Sequence, residues 1–435
     1  MERRVLTFAA ASRACVSLLA LATASIVTPY DTSSHLQAGA SPLAAFANWD
    51  GVYFSNIVQS GGYEYEHFHA FFPFYPLLTG LLSRLLPLDP SVAVPISGWL
   101  VSNVSFVLAA LFLYRLGCVV LEEEAVARRA AYLFCVAPSG IFMSAFYSES
   151  LMCLLSFSGM YFLARHAHAP ESRRVFRDLL YSALLFGAAS TTRSNGILLS
   201  LYIAWHRMTV SPSPRKSLVR FLGFWTNTAL LGVLAVGPQV AYFVISMLPY
   251  CPSLALRLSN GVATPAAVIT EDRSWCADVV PNFSAMYMFI QKEYWNVGLF
   301  RYYEWKQLPN FLLATPIIVL STHALQGYFR GRVVPGRPRQ QGRDWRGATL
   351  TPYYVHWLFL LVNALLVVHI QVTTRLLCAC PPLFWHPAAL VCRTKSKAKT
   401  KPPAVLTSYG RLVVSYFLLF NVLGGVLFPS FYPWT

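Results

Sequence analysis

The sequence predicts an all-α, multi-span membrane protein, a helical bundle held in lipid. Three observations carry this. Of 435 residues, 56% are hydrophobic and only 12% are charged, where a soluble domain carries about 25% charged residues. Apolar runs long enough to span a bilayer recur along the chain, and they are continuous rather than alternating, which argues against a β-barrel. Basic residues cluster between those runs, at Arg3-Arg4, Arg128-Arg129, 165–177, 207–220, 330–346 and 393–401, while the alternate loops hold most of the acids. Such alternation separates a cytoplasmic from a lumenal side. The net charge of +16 is therefore mostly topology, and no nucleic-acid partner is expected.

The elements follow in order. The first span is expected at about Val5–Val27, leaving a cytoplasmic N-terminus. It shares a basic start and an Ala22-Thr23-Ala24 site with signal peptides, but its apolar run is longer than a signal core. Residues 28–91 then form a lumenal loop. Within it Phe71–Leu88 is apolar but broken by Pro73, Pro76 and Pro87, which predicts a re-entrant or interfacial piece. A span at Val92–Val120 and a cytoplasmic turn at Glu122–Arg129 come next. A hairpin pairs Ala130–Ala145 with Ser150–Leu163, its tip at Tyr147-Ser148-Glu149. A second pairs Leu179–Ala189 with Ile197–Trp205, its tip at Thr191–Gly196. Phe221–Leu248 leads into a long lumenal loop, 249–307. Further spans are expected at Leu308–Leu325, Tyr353–Ile370, Leu376–Val391 and Leu412–Phe428. Residues 1–435 read as one multi-span unit.

The long loop offers two checks. Asn282-Phe283-Ser284 is a glycosylation sequon that only a lumenal loop uses. Cys251 and Cys276 share the loop, as a disulfide or as two free thiols. Cys378 and Cys380 read as packing residues, since no second pair accompanies them.

The chemistry concentrates in short polar islands. Carboxylates beside a bilayer are costly to keep, so each is a functional hypothesis. Asp50, flanked by Trp49 and Tyr53, suits a general base; as a residue before Gly51-Val52-Tyr53 it suits a helix N-cap equally. Glu66 and His67 adjoin the Ala70-Phe71-Phe72-Pro73 turn, which places them at the interface near Asp50. His67 and His69 have metal-pair spacing, but no further His or Cys cluster supports a metal, and none is expected. Arg193 sits at a hairpin tip, where a planar guanidinium either binds phosphate or snorkels to headgroups. Ser194, Asn195 and Gly196 add donors at a helix start. Glu149, at the neighbouring tip, pairs with Arg193 or lines the same cavity. Lys292, Tyr294, Trp295 and Arg301 form an aromatic and charged cluster, read as an interfacial belt or as a sugar- and phosphate-binding rim.

Together these stretches resemble the GPI mannosyltransferase 2 family (PIG-V-like). The matching residues are Trp49-Asp50, Tyr65-Glu66-His67 with Ala70-Phe71-Phe72-Pro73, and Phe146-Tyr147-Ser148-Glu149. They continue with Arg193-Ser194-Asn195-Gly196, Tyr294-Trp295-Asn296-Val297-Gly298, Pro309-Asn310-Phe311-Leu312-Leu313-Ala314 and Pro433-Trp434-Thr435. Each alone is weak; the ordered set, from about residue 48 to the end, is specific. Gly51 and His69 look like local variation.

The resemblance implies a GT-C multi-span transferase of the endoplasmic reticulum membrane with a lumenal active site. The implied donor is dolichyl-phosphate mannose. The implied acceptor is a GPI intermediate already carrying one mannose on glucosamine, and the new bond is α-1,6 with inversion. Asp50 is then the expected base, with Glu66 and His67 beside it in the catalytic set. Arg193, assisted by Lys292 or Arg301, would hold the leaving phosphate, and Trp49, Glu149, Asn195, Tyr294 and Trp295 would bind substrate. No cofactor is expected, and the chain has no P-loop or dinucleotide fingerprint. A small membrane partner subunit is compatible with this reading. A transporter would place its charges deep within spans rather than at their tips, and a scaffold would not need the Asp50 island. A related transferase at another mannose step is the nearest alternative.

Overall fold

The computed structural model describes residues 1–31, 42–210, 217–253, 273–278, 282–331, 349–393 and 405–434. Among them the chain is almost wholly helical, apart from a two-residue antiparallel ladder that pairs Cys392–Arg393 with Val405–Leu406. The helices, in chain order, are α1 (Glu2–Ile26), α2 (Asp50–Ser60), α3 (Phe74–Leu85), α4 (Pro90–Leu121), α5 (Glu124–Cys135), α6 (Glu149–His168) and α7 (Phe176–Ser190). There follow α8 (Ser200–Thr209), α9 (Leu218–Met247), α10 (Ala285–Glu293), α11 (Leu308–Phe329), α12 (Thr351–Leu366), α13 (Thr373–Leu377), α14 (Pro382–Leu390) and α15 (Ser408–Leu427). Among the described residues, five helical stretches are long and apolar enough to cross a membrane: Glu2–Ile26, Pro90–Leu121, Leu218–Tyr250, Trp305–Phe329 and Ser408–Ser430.

The expected re-entrant piece is α3, whose 12 residues extend about 18 Å, well short of a bilayer core. Leu77, Leu81 and Leu85 lie along its exposed face while Tyr75, Pro76 and Thr79 are buried. This is the pattern of a helix lying along an interface.

Two expected hairpin arms and one expected span are corrected. The arm Ala130–Ala145 ends as a helix at Cys135, because Pro138 lacks the N–H that would continue the ladder. Residues 137–148 instead fold as a buried turn. Its freed carbonyls need donors in a low-dielectric interior, and Arg13 of α1 supplies them. That guanidinium donates to Gly140 O at 2.5 Å and Cys135 O at 3.1 Å and lies 4.0 Å from the Phe106 ring centroid. The arm Ile197–Trp205 is split into a 3₁₀ turn, Ser194–Leu199, and α8. Leu376–Val391 is also broken: α13 stops at Leu377 and α14 starts at Pro382, the second of two consecutive prolines.

These breaks gather at one end of the bundle. α4 packs against α1, α5 and α6, and α6 against α7, around a core that includes Phe106, Phe134, Phe157 and Phe384. The start of α6 and the end of α7 therefore meet the start of α2. The opposite ends carry their own ion pairs, Glu2–Arg115 and Arg165–Asp178.

Candidate active site

Asp50 opens α2 from a tight turn. Gly51 N–H donates to Asn48 O at 3.0 Å, closing Asn48-Trp49-Asp50-Gly51. Trp49 has φ 56° and ψ −123°, the first central position of a type II′ turn, normally a glycine site. The turn aims Asp50 at Arg375 of α13, whose Nη2 donates to Asp50 Oδ2 at 2.6 Å.

Arg375 is the centre of the site. Its Nε donates to Glu149 Oε1 at 2.6 Å, and its guanidinium carbon lies 4.8 Å from the ring centroids of both Phe142 and Tyr147. Arg193 Nη1 reaches the same Glu149 oxygen, at 2.6 Å. Two carboxylates and two guanidiniums thus alternate as Asp50–Arg375–Glu149–Arg193, without net charge. A buried charge survives only when paired, and the members differ in depth: Glu149 is 1% exposed, Arg375 10%, Arg193 23% and Asp50 35%. The outer two face the cavity; Glu149 is the buried bridge that sets their spacing.

The Arg193 turn is held by close chain approach. Gly196 N–H donates to Arg193 O at 2.9 Å. A Cβ on Gly196 would meet the Ala189 carbonyl oxygen at 2.2 Å, so only glycine fits where the chain folds back on the end of α7.

In front of the charged chain lies a cavity of about 290 Å³, whose lining includes Asp50, Arg193, Asn195, Trp295, His369 and Arg375. Its lining mixes aromatic and polar groups. Trp295, Phe71 and Phe54 supply aromatic surface; Ser194, Gln291 and Gln371 supply polar groups. His369 Nε2 lies 2.6 Å from Trp295 O, which fixes the Nε2–H tautomer. Burial lowers the His369 pKa, opposed by that hydrogen bond. Burial, then the Asp50 charge, pushes the Tyr53 phenol up, so it stays protonated beside the carboxylate.

The structure brings Asp50, Arg193, Asn195 and Trp295 to one cavity, with Glu149 directly behind. It leaves the other expected residues outside that lining. Glu66, expected beside Asp50, is buried in a different network. It accepts from Trp275 Nε1 at 2.8 Å and Tyr294 OH at 3.4 Å, with Arg273 Nε at 3.9 Å. Cys276, next to Trp275, forms a disulfide with Cys251, so Glu66 ties the described part of that loop to the Asp50 end. His67 packs among the rings of Tyr53, Tyr65, Tyr294 and Trp295, and burial lowers its pKa. Trp49 packs on Phe431 instead of lining the cavity. Lys292, Tyr294 and Arg301 are exposed outside the lining; on α10, Gln291 faces the cavity instead of Lys292. Among the described residues, no cluster of three or more His, Cys, Asp or Glu has metal-site geometry.

Arg375 is hidden in the sequence because it borders the apolar run Leu376–Val391, which reads as a span. The signal was present: a lone arginine beside an apolar run is a functional hypothesis with a carboxylate partner to be sought.

The comparisons with known proteins give the family and the fold. The family model described as Mannosyltransferase (PIG-V) matches residues 2–435. The chain belongs to this family. It is therefore a glycosyltransferase. A Mus musculus relative, GPI alpha-1,6-mannosyltransferase 2, is 33% identical over 90% of this chain and 88% of its own length. GPI mannosyltransferase 2 of Chaetomium globosum is 30% identical over 91% and 85%. Among solved structures, the apo oligosaccharyltransferase of Archaeoglobus fulgidus superposes with a TM-score of 0.53 at 10% identity. That match covers 98% of this chain and 56% of the archaeal one, so the chain spans little more than half its length. At this identity the likeness concerns the fold alone: this PIG-V family member shares the GT-C helical architecture.

Proposed function

We propose that this protein transfers the second mannose, in α-1,6 linkage, from dolichyl-phosphate mannose to a GPI-anchor intermediate that already carries one mannose on glucosamine. The proposed place is the endoplasmic reticulum membrane, with the Asp50 end of the bundle in the lumen. The relatives, among them GPI alpha-1,6-mannosyltransferase 2 of Mus musculus, support a GPI acceptor and an α-1,6 linkage. The observation that carries the chemistry is the Asp50–Arg375–Glu149–Arg193 chain at a cavity lined by aromatic and polar groups.

The groups divide the work of an inverting displacement. The acceptor hydroxyl oxygen attacks the anomeric carbon of the donor mannose, and its proton passes to Asp50. The bond between that carbon and the phosphate oxygen breaks, and dolichyl phosphate leaves with the electron pair. Arg375 occupies Asp50 Oδ2, which holds the carboxylate in one orientation and leaves Oδ1 for the proton. A lipid phosphate is already a good leaving group and needs a cation more than an acid. Arg193 reaches the cavity and supplies one. Trp295 offers a face on which a sugar ring stacks.

The test is complementation of cells lacking the second GPI mannose step, read as a GPI-anchored protein at the surface and as the mannose number of the accumulated lipid. Wild type is expected to rescue. Asp50→Asn at matched expression is expected to fail, with transfer reduced by about 10²-fold or more. Rescue by both would make Asp50 structural. Failure of a folded wild type would move the protein to another mannose step.

A further inference from the structure

We infer that the Tyr147 hydroxyl is a positioning group that locks the strained turn carrying Asp50, and that Asn48 anchors the same turn to the carboxyl-terminal end of α15. This rests on the role proposed for Asp50.

The strain is at Trp49, whose positive φ of 56° is unfavourable for a large side chain. Such a conformation persists only where the surroundings over-determine it. Here one hydroxyl grips both flanking residues: Asp50 N–H donates to Tyr147 Oη at 2.9 Å, and the Tyr147 hydroxyl donates to Asn48 O at 3.2 Å. Tyr147 is fully buried between Phe142 and Phe428, so the hydroxyl has little freedom to move. Its ring lies against the Arg375 guanidinium. The same side chain therefore fixes both the backbone of Asp50 and the cation that orients its carboxylate.

Asn48, 1% exposed, makes the second anchor. Its Nδ2 donates to Phe428 O at 3.0 Å and Pro429 O at 2.9 Å. Trp49 packs on Phe431. Trp434, 3% exposed, packs against Phe420 and lies so close to Gly424 that a Cβ there would meet its Nε1 at 2.5 Å. The terminal segment thus forms a strap from α15 to the Asp50 turn. This gives a physical task to Tyr147 and to Trp434, which the transfer chemistry itself leaves unused.

The test is Tyr147→Phe, which removes the hydroxyl and keeps the ring, in the full-length protein. Assays use dolichyl-phosphate mannose and a synthetic mannosyl-glucosaminyl-phosphatidylinositol acceptor, with hydrogen exchange of the peptide covering 48–52 measured in parallel. Expected are a modestly lower melting temperature, faster exchange confined to that peptide, and kcat reduced about 10- to 100-fold with KM little changed. Adding Trp49→Gly, which suits the turn without strain, is expected to restore part of kcat. Wild-type kcat, or unchanged exchange at 48–52, in Tyr147→Phe overturns the inference. If Tyr147→Phe does not fold, Asn48→Ala is read by the same kcat and exchange criteria. If wild type transfers no mannose to this acceptor, the proposed function falls while the exchange result still decides whether Tyr147 locks the turn.

Discussion

At the residue scale, the site depends on Glu149 being charged and fully enclosed. It shares one oxygen between Arg193 and Arg375. Removing it leaves two guanidiniums with Asp50 as the one remaining carboxylate of the chain, and breaking a buried pair costs about 3 kcal/mol or more. Glu149→Ala is therefore expected to lower the melting temperature markedly, as well as abolish transfer. Arg375→Lys separates the two effects. A lysine keeps the charge but cannot present two fixed N–H donors to Asp50 and Glu149 at once. It is expected to fold near normally and to lose about 10²-fold in activity through misplacement of Asp50. Normal transfer by Arg375→Lys, measured on protein of matched stability, would show that a point charge suffices. The sequence made Asp50, Glu149 and Arg193 visible because each interrupts apolar surroundings. It hid Arg375, since its two partners lie more than two hundred residues away in the chain, and only the fold brings them together.

At the element scale, the long apolar helices were legible and the short broken ones were not. α1, α4, α9, α11 and α15 each fall within a few residues of the expected span, because one property, sustained hydropathy, defines them. The breaks at Pro138 and at Pro381-Pro382 depend instead on whether a distant donor such as Arg13 satisfies the freed carbonyls. Glu66 sits in a separate network for a related reason: its partner Trp275 lies in a loop far along the chain. The neighbouring 3₁₀ turn, Glu66–Ala70, has a pH dependence of its own. His69 stacks on Tyr63 and packs against Tyr242 and Tyr250, and burial lowers its pKa to about 4. In the unfolded chain it titrates near 6.5. Between those values the unfolded state binds the extra proton, so stability falls as pH drops through the window. From pH 7 to pH 5 this group costs about 2 kcal/mol. His69→Phe is expected to flatten that part of the melting temperature against pH, and an unchanged slope would mean that His69 does not contribute.

At the scale of the whole molecule, the two ends of the bundle differ in the way a vectorial membrane enzyme requires. One end gathers the broken helices, the cavity, the Cys251–Cys276 disulfide and the exposed sequon at Asn282. The other gathers Arg165–Asp178 and Glu2–Arg115. A disulfide persists in an oxidising compartment, so the proposed lumenal placement of the first end is chemically consistent. It makes opposite forecasts for two exposed positions. In sealed microsomes, a cysteine introduced as Glu171→Cys, between α6 and α7, should react with a membrane-impermeant maleimide at once. One introduced as Lys292→Cys, on α10 beside the cavity, should react only after permeabilisation. Glycosylation at Asn282, seen as a mass shift removed by endoglycosidase and by Asn282→Gln, would be the independent sign of the same orientation. The reverse labelling pattern would place the cavity on the cytosolic side, where an oxidised Cys251–Cys276 pair would not be expected to persist, and would overturn the proposed compartment while leaving the site geometry intact.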